Sequence, residues 1–550
     1  MILELPPGAL ASGPSAAGAG RLRLLALLLL PALLLCLLQG PVRRARGPGW
    51  ACINFDPEYQ YLLNGLNAAR GKPVGHADHP GTPVQILNGL FLRVRHIVSG
   101  KGSIEDAVLA DLESSLRFLQ AAYQILYAAG LFWLGAFALA RTGRLAPALL
   151  LQAAPFVSAH SLLALGRATP ETGLLLADLA VAGLLVSAWG GGARDRPYRF
   201  AIVSAVLLGF AVALKYTAVP LLALPLILLP RWLPRIAFLA LVPASFALCT
   251  IPAWHRAGES LGWIAGLLVH QGGHGGGGVG IPAVGVLAEN LAGILTGEPV
   301  FALSMALLAI ALALARSRAP AEGEAAQTPV RRCAAALLAA FVLQCLVVAK
   351  HPGMIYLAPA MGLVGAAVWL GAEAIAPALR RPAARRTAAF ALGGALSLAI
   401  GLGVARPFAR MLDGMSQRRD GALAVRERLE RDFKGFAVIT AWWGSSPEYA
   451  LFFANVSAEG LYTERLRREH PAAFFYTPDP KLQKIRSVLG WDGQPVDLDS
   501  LLRTHRGVLY QGMRFGGGYN PWPPPWFPLR EIFRSGEETI YRVEAGARDP

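Results

Sequence analysis

Apolar runs long enough to cross a bilayer recur through most of this chain, at residues 119–140, 145–165, 172–189, 200–214, 216–230, 236–252, 298–315, 333–349, 355–372 and 388–404. A helix needs about 20 residues to span the hydrocarbon, and about 17 at the low end. The runs therefore confine the fold to a mainly α, polytopic membrane bundle. A further run, Leu22–Gln39, follows Arg21 and has no small-residue cleavage site behind it, so it reads as an uncleaved span rather than a signal peptide. That brings the expected number to eleven. Residues 200–214 and 216–230 are short and flank Lys215, which suits tilted or broken helices. With 54% hydrophobic and 16% charged residues over 550 positions, an ordinary soluble protein is excluded.

The net charge of +16 would suit a nucleic-acid partner if the cations formed a patch. Instead the arginines stand in short clusters between apolar runs. Arg21 and Arg23, Arg141 and Arg144, Arg194 to Arg199, Arg231 and Arg235, Arg316 to Arg332, and Arg380 to Arg386 all fall on one side. The opposite short connections hold single charges, Arg167, Lys215 and Lys350. The positive-inside rule makes the first side cytoplasmic. The loop after the first span and everything after Val404 are then outside. Arg43, Arg44 and Arg46 point the other way, but they open a loop longer than the roughly 60 residues over which the rule holds. Abundant Ala and Gly, with arginine favoured over lysine, resemble a GC-rich bacterial proteome, so the expected location is a bacterial inner membrane. Four of the five cysteines lie inside apolar runs and show neither a disulfide framework nor metal-ligand spacing.

Three regions follow. Residues 1–20 are Gly, Ala, Ser and Pro rich and read as a disordered cytoplasmic tail; 21–404 form the membrane domain; 405–550 form an extracytoplasmic α/β domain. In that last region Leu423–Phe433 and Pro447–Asn455 read as helices, and Phe436–Trp443, Ala473–Tyr476, Gly507–Tyr510 and Thr539–Val543 as strands. Tyr519–Trp526 is a stiff, proline-rich aromatic loop. The large first outer loop carries two amphipathic stretches, Pro57–Arg70 and Val84–Val98, suited to the membrane interface. A second outer segment, Ala253–Ala283, is glycine-rich around His274 and reads either as a flexible loop or as a substrate lid.

The first outer loop also concentrates chemistry. Asp56, Glu58, His76, Asp78 and His79 lie between Asn54 and Pro83. A bland reading is available, with Asp56-Pro57-Glu58 capping a helix and solvated histidines beyond it. Charged, proton-handling groups at the edge of an apolar span point instead to use. A carboxylate can accept the proton of an attacking hydroxyl. Arg167, Lys215 and Lys350 can stabilise a leaving phosphate, or else merely snorkel to the interface. Glu171 stands four residues after Arg167 and can pair with it.

The motifs carry a family resemblance. Asp56-Pro57-Glu58-Tyr59, His76 to Pro83, Arg167 to Glu171, Gly209 to Tyr216 around Lys215, and Lys350-His351-Pro352 with Tyr356 to Pro359 together resemble the GT-C superfamily of polytopic glycosyltransferases. They resemble in particular the branch that includes the protein O-mannosyltransferases and lipid A aminoarabinose transferases. The resemblance implies a polyprenyl-phosphate sugar donor, transfer outside the cytoplasmic membrane to a lipid, glycan or protein acceptor, and Asp56 as general base with Glu58 beside it. His76, Asp78, His79, Arg167, Glu171, Lys215, Lys350, His351 and Tyr356 become the substrate-binding set. The O-mannosyltransferases commonly have adjacent acids, whereas Pro57 separates them here. The resemblance fixes no cofactor; a divalent ion at His76, Asp78 and His79 stays open, although His-x-Asp-His in one loop is not a recognised closed site. The alternatives are a transporter or flippase of a lipid-linked sugar, for which no internal repeat is found, and a non-catalytic envelope-assembly protein that works through its terminal domain.

Overall fold

The fold was taken from a computed structural model, which describes residues 14–52, 57–77, 81–99, 102–316, 324–376, 379, 382–441, 444–476, 488–513 and 528–544. Asp56, Asp78, His79, Trp442, Trp443 and the Tyr519–Trp526 loop lie outside the described residues. The chain divides into two compact units. One comprises residues 1–39, 77–83 and 121–409, the other 40–76, 84–120 and 410–550.

The first unit is a helical membrane bundle. Among the described residues of the whole chain, seven helices are long and apolar enough to cross a membrane. Two bent pairs raise the number to nine, and Leu145–Val157 and Tyr216–Leu228 are apolar but shorter. The run expected as a single span at 145–165 is broken into Leu145–Ala153, a 3-10 turn Ala154–Val157 and Ala159–Ala164, with Pro155 at the break. Pro197–Leu214 ends at Lys215, and the chain continues as the 3-10 segment Tyr216–Leu222. Pro220 lies within that segment and cannot donate a backbone hydrogen bond. Ala253–Ala283 differs from a structureless loop in its first half, where Ala257–Val269 is helical and continues the apolar span from Trp232.

Small residues let these helices approach closely, as packing in a bilayer requires. Gly209 faces Ser245 and the Val242 carbonyl; a Cβ there would come within 2.7 Å of Ser245 Oγ. That hydroxyl donates to the Val206 carbonyl at 2.9 Å. The core is filled by Leu131, Leu179, Leu208, Phe301, Phe341 and Trp369, all buried.

The second unit is α/β. Its seven-stranded sheet has the order β4-β3-β2-β1-β5-β7-β6, with β1 Ala437–Ala441, β2 Ala473–Tyr476, β3 Val488–Leu489, β4 Pro495–Val496, β5 Val508–Met513, β6 Leu529–Ser535 and β7 Glu538–Val543. β1 runs parallel to β2 and β5, and the outer pairs are antiparallel. The first-loop helix Glu58–Ala69 belongs to this unit. All its residues but Ala68 are buried, so it does not lie open to the membrane interface as its amphipathic pattern suggested. Its polar residues are consumed internally. Asn64 Nδ2 donates to Ser457 Oγ at 2.9 Å, Asn67 Nδ2 to the Ala458 carbonyl at 3.2 Å, and Tyr462 Oη to Asn67 Oδ1 at 2.6 Å.

Candidate functional site

In the membrane unit, the break after Leu214 places Lys215 at a helix C-terminus with extended backbone, φ −162° and ψ 136°. A cation is favoured there by the exposed carbonyls of the last turn. Lys215 Nζ forms an ion pair with Glu171 Oε1, in the first turn of Pro170–Trp189. Arg167, in the turn before that helix, acts on the same carboxylate. Two cations thus act on one carboxylate, in surroundings where Lys215 is only 9% exposed. The Tyr356 ring covers the ammonium, 5.2 Å from Nζ to its centroid. Such a contact adds attraction and shuts out water on that side.

Around Tyr356 the glycine-rich segment is tied down. Tyr356 Oη lies 3.1 Å from His274 Nδ1, and His274 takes the left-handed backbone region at φ 54°, which non-glycine residues seldom occupy. Lys350 Nζ donates to the Leu267 and Leu268 carbonyls at 2.9 and 2.7 Å, capping the end of the Ala257–Val269 helix. His351 lies between two carbonyls, one of them shared with Lys350, with Nδ1 2.9 Å from Gly272 O and Nε2 3.0 Å from Leu267 O. The Gly272 amide donates to the Lys350 carbonyl at 3.0 Å. Lys350 and His351 thus act as a latch on the loop.

Ala77 and Gly81 are both anchored. Ser260 Oγ donates to the Ala77 carbonyl, and the Gly81 amide donates to the Leu214 carbonyl at 3.1 Å, one residue from Lys215. Asp78 and His79 fall between these anchors, outside the described residues.

The α/β unit holds the remaining expected residues. Glu58 is 2% exposed. It pairs with Arg46 at 3.6 Å and accepts from Gln120 Nε2 at 3.1 Å. Its neighbour Tyr59 donates to Glu113; burial, then the Glu113 charge, push the Tyr59 hydroxyl well above its ordinary range. His76 is buried, with Gln60 Nε2 on Nδ1 and Tyr61 Oη 3.4 Å from Nε2. Among the described residues no group of three His, Cys, Asp or Glu side chains is placed to hold a metal ion.

The structure therefore gathers Arg167, Glu171, Lys215 and Tyr356 into one cluster, puts Lys350 and His351 on the adjoining loop, and holds Glu58 and His76 within the other unit. His274 joins the first group through Tyr356 Oη, and Ser260 holds the Ala77 carbonyl. The glycine run around His274 gave a signal; Ser260 gave none, since its partner is a backbone carbonyl far away in sequence. A second polar group, Ser158, His160 and Glu298, also escaped the motifs. Glu298 accepts from Ser158 Oγ at 3.0 Å and lies 2.9 Å from His160 Nδ1, at a 101° bend between helices.

No protein-family model matches the chain, and no curated protein matches it. Two solved structures of ArnT from Cupriavidus metallidurans are similar to it. The structure bound to undecaprenyl phosphate aligns with a TM-score of 0.48 and 12% identity over 96% of this chain and 99% of that one. The apo structure aligns with a TM-score of 0.49 and 13% identity over 97% and 100%.

Proposed function

We propose that this chain is an integral-membrane glycosyltransferase that moves a sugar from a polyprenyl-phosphate-linked donor to an acceptor at the extracytoplasmic face. The observation that carries this reading is the Arg167–Glu171–Lys215 cluster with Tyr356 over the lysine. It sets two cations beside a helix break, next to the ends of helices long and apolar enough to cross a membrane.

In the reaction an acceptor hydroxyl oxygen bonds to the anomeric carbon. The bond from that carbon to the phosphate oxygen breaks, and polyprenyl phosphate leaves with the electron pair. The hydroxyl proton passes to Asp56, the base implied by the acidic motif, with Glu58 as the neighbouring acid. The leaving phosphate gains negative charge, and fixed cations in a low-dielectric site stabilise it without reorganising. Lys215 and Arg167 supply that charge. Glu171 holds the lysine in place, and Tyr356 closes its open side. Lys350 and His351 serve the same site through the loop they latch, while His76, Asp78 and His79 belong to the donor or acceptor side of the first loop.

The test is transfer by the purified chain in nanodiscs, supplied with a radiolabelled polyprenyl-phosphate sugar. Labelled product and released polyprenyl phosphate are expected. Lys215→Met weakens polyprenyl phosphate binding by about tenfold or more, and Asp56→Asn binds the donor but does not transfer. A chain that neither binds nor cleaves the donor overturns the reading, and sugar flux into liposomes without covalent product replaces it with a transporter. Unchanged transfer by Asp56→Asn removes Asp56 as the base.

A further inference from the structure

Asp178 lies seven residues after Glu171 on Pro170–Trp189, two helical turns along the same face. It is 1% exposed, and neither carboxylate oxygen has a hydrogen-bond partner among the described residues. An ionisable side chain inside a membrane helix is costly and stays only where something depends on it.

What it touches is the break in another helix. The segment Met354–Met361 bends by 50° into Val364–Ile375, and Gly362 lies at the bend. A Cβ on Gly362 would come 2.5 Å from Asp178 Cβ and 2.7 Å from its Cγ, so the glycine is required because the aspartate packs directly on its backbone. Gly365, three residues on, faces the Leu150 carbonyl carbon, which a Cβ would meet at 2.8 Å. Leu363, the N-cap of Val364–Ile375, supplies no side-chain hydrogen bond. A carboxyl group beside that first turn meets the positive end of the helix. Six residues before Gly362, in the same bent segment, stands Tyr356, whose ring covers Lys215.

We propose that Asp178 is a positioning residue: by packing on Gly362 it fixes the bend that carries Tyr356 over Lys215. The inference rests on the reading of the Lys215 cluster as the phosphate site, but its first readout does not. Asp178 touches no reacting atom in this account; it acts through Tyr356.

The experiment labels the full chain with 3-fluorotyrosine and assigns the Tyr356 fluorine resonance by Tyr356→Phe, with no substrate present. Asp178→Ala shifts that resonance, Asp178→Asn, which keeps the volume against Gly362, returns it, and Gly362→Ala shifts it by forcing Asp178 away. The Asp178→Ala, Gly362→Ala double variant moves it back toward the wild-type position. If Asp178→Ala does not fold, Gly362→Ala and Asp178→Asn still decide. In transfer assays Asp178→Ala raises KM for the polyprenyl-phosphate sugar by about tenfold with kcat within about twofold, and has no further effect in a Tyr356→Ala background. A resonance that stays in place in Asp178→Ala and Gly362→Ala, or losses that add to those of Tyr356→Ala, overturn the proposal. If the resonance moves as expected while the wild-type chain transfers no sugar, the positioning role stands and the glycosyltransferase reading falls.

Discussion

Lys215 and Glu171 meet as an ion pair where a membrane helix ends, the lysine in extended backbone after Leu214 and the glutamate in the first turn of Pro170–Trp189. Their side chains are 11% and 12% exposed, and Arg167 acts on the same carboxylate. Removing one partner of a buried pair leaves an uncompensated charge, whereas replacing both with apolar residues is often neutral. Lys215→Met alone is expected to lower stability by about 3 kcal/mol. The Lys215→Met, Glu171→Leu double variant should recover most of that loss in thermal unfolding and still fail to bind polyprenyl phosphate. Recovery of binding together with stability would show that the pair only holds the helices.

The membrane bundle was legible because apolar runs of span length are the strongest signal a sequence carries, and the break at Lys215 was legible from the two short runs beside it. The sheet strands β1, β2, β5 and β7 were legible for a similar reason, as short β-branched and aromatic runs between turns. The broken helices at residues 145–164 and 354–375 were not, since proline and glycine in an apolar run still read as continuous span. Nor could sequence show that Lys350 and His351 would face backbone carbonyls, because a carbonyl partner has no residue type. The burial of Glu58–Ala69 was hidden for the opposite reason: its asparagines and Glu58 look like a solvent face until Ser457, Tyr462 and Arg46 are found against them.

The latch formed by Lys350 and His351 has a local consequence. Hydrogen bonds from a charged donor contribute about 1.5–3 kcal/mol each, and Lys350 makes two, to Leu267 and Leu268. Lys350→Met is expected to raise amide hydrogen exchange across residues 266–280 by about tenfold or more, with exchange in the Pro170–Trp189 helix unchanged. Equal protection in variant and wild type would mean that the loop is held without the lysine side chain, by His351 and by backbone pairing such as His270 with Val279.

Asn67 ties the first loop into the α/β unit. It is fully buried, donates to the Pro73 and Ala458 carbonyls at 3.2 Å each, and accepts from Tyr462 Oη at 2.6 Å. Asn67→Leu removes all three bonds at once, at a net cost of about 1 kcal/mol for each. Tyr462→Phe removes only one of these three bonds and is expected to cost about 1 kcal/mol. Denaturant unfolding of the two variants should separate them clearly, and similar losses would show that the asparagine is not the hub of the contact.

Two carboxyls, Glu448 half-buried and Glu538 buried, give the α/β unit opposite responses to pH. Burial would raise Glu448, but the His470 hydrogen bond and the Arg426 charge hold it at about 2. Its contribution to stability is therefore present above the ordinary carboxyl pKa and is lost as pH falls toward 2. Glu538 goes the other way. Burial pushes it up to about 7, and Ser445 and Gln511 offset only part of that. Between the ordinary value of 4.5 and 7 the unfolded chain gives up its proton first and the folded chain keeps it, so stability falls as pH rises. Above 7 the penalty is complete, at about 3 kcal/mol from the size of the shift. Glu538→Gln should remove this dependence. The variant is expected to gain on the wild type between pH 5 and 8 and to match its pH profile below about 4.5, measured by proteolysis of residues 437–543 in the full chain during heating. A gap that widens on acidification instead would show that Glu538 is ionised in the folded chain and stabilises it.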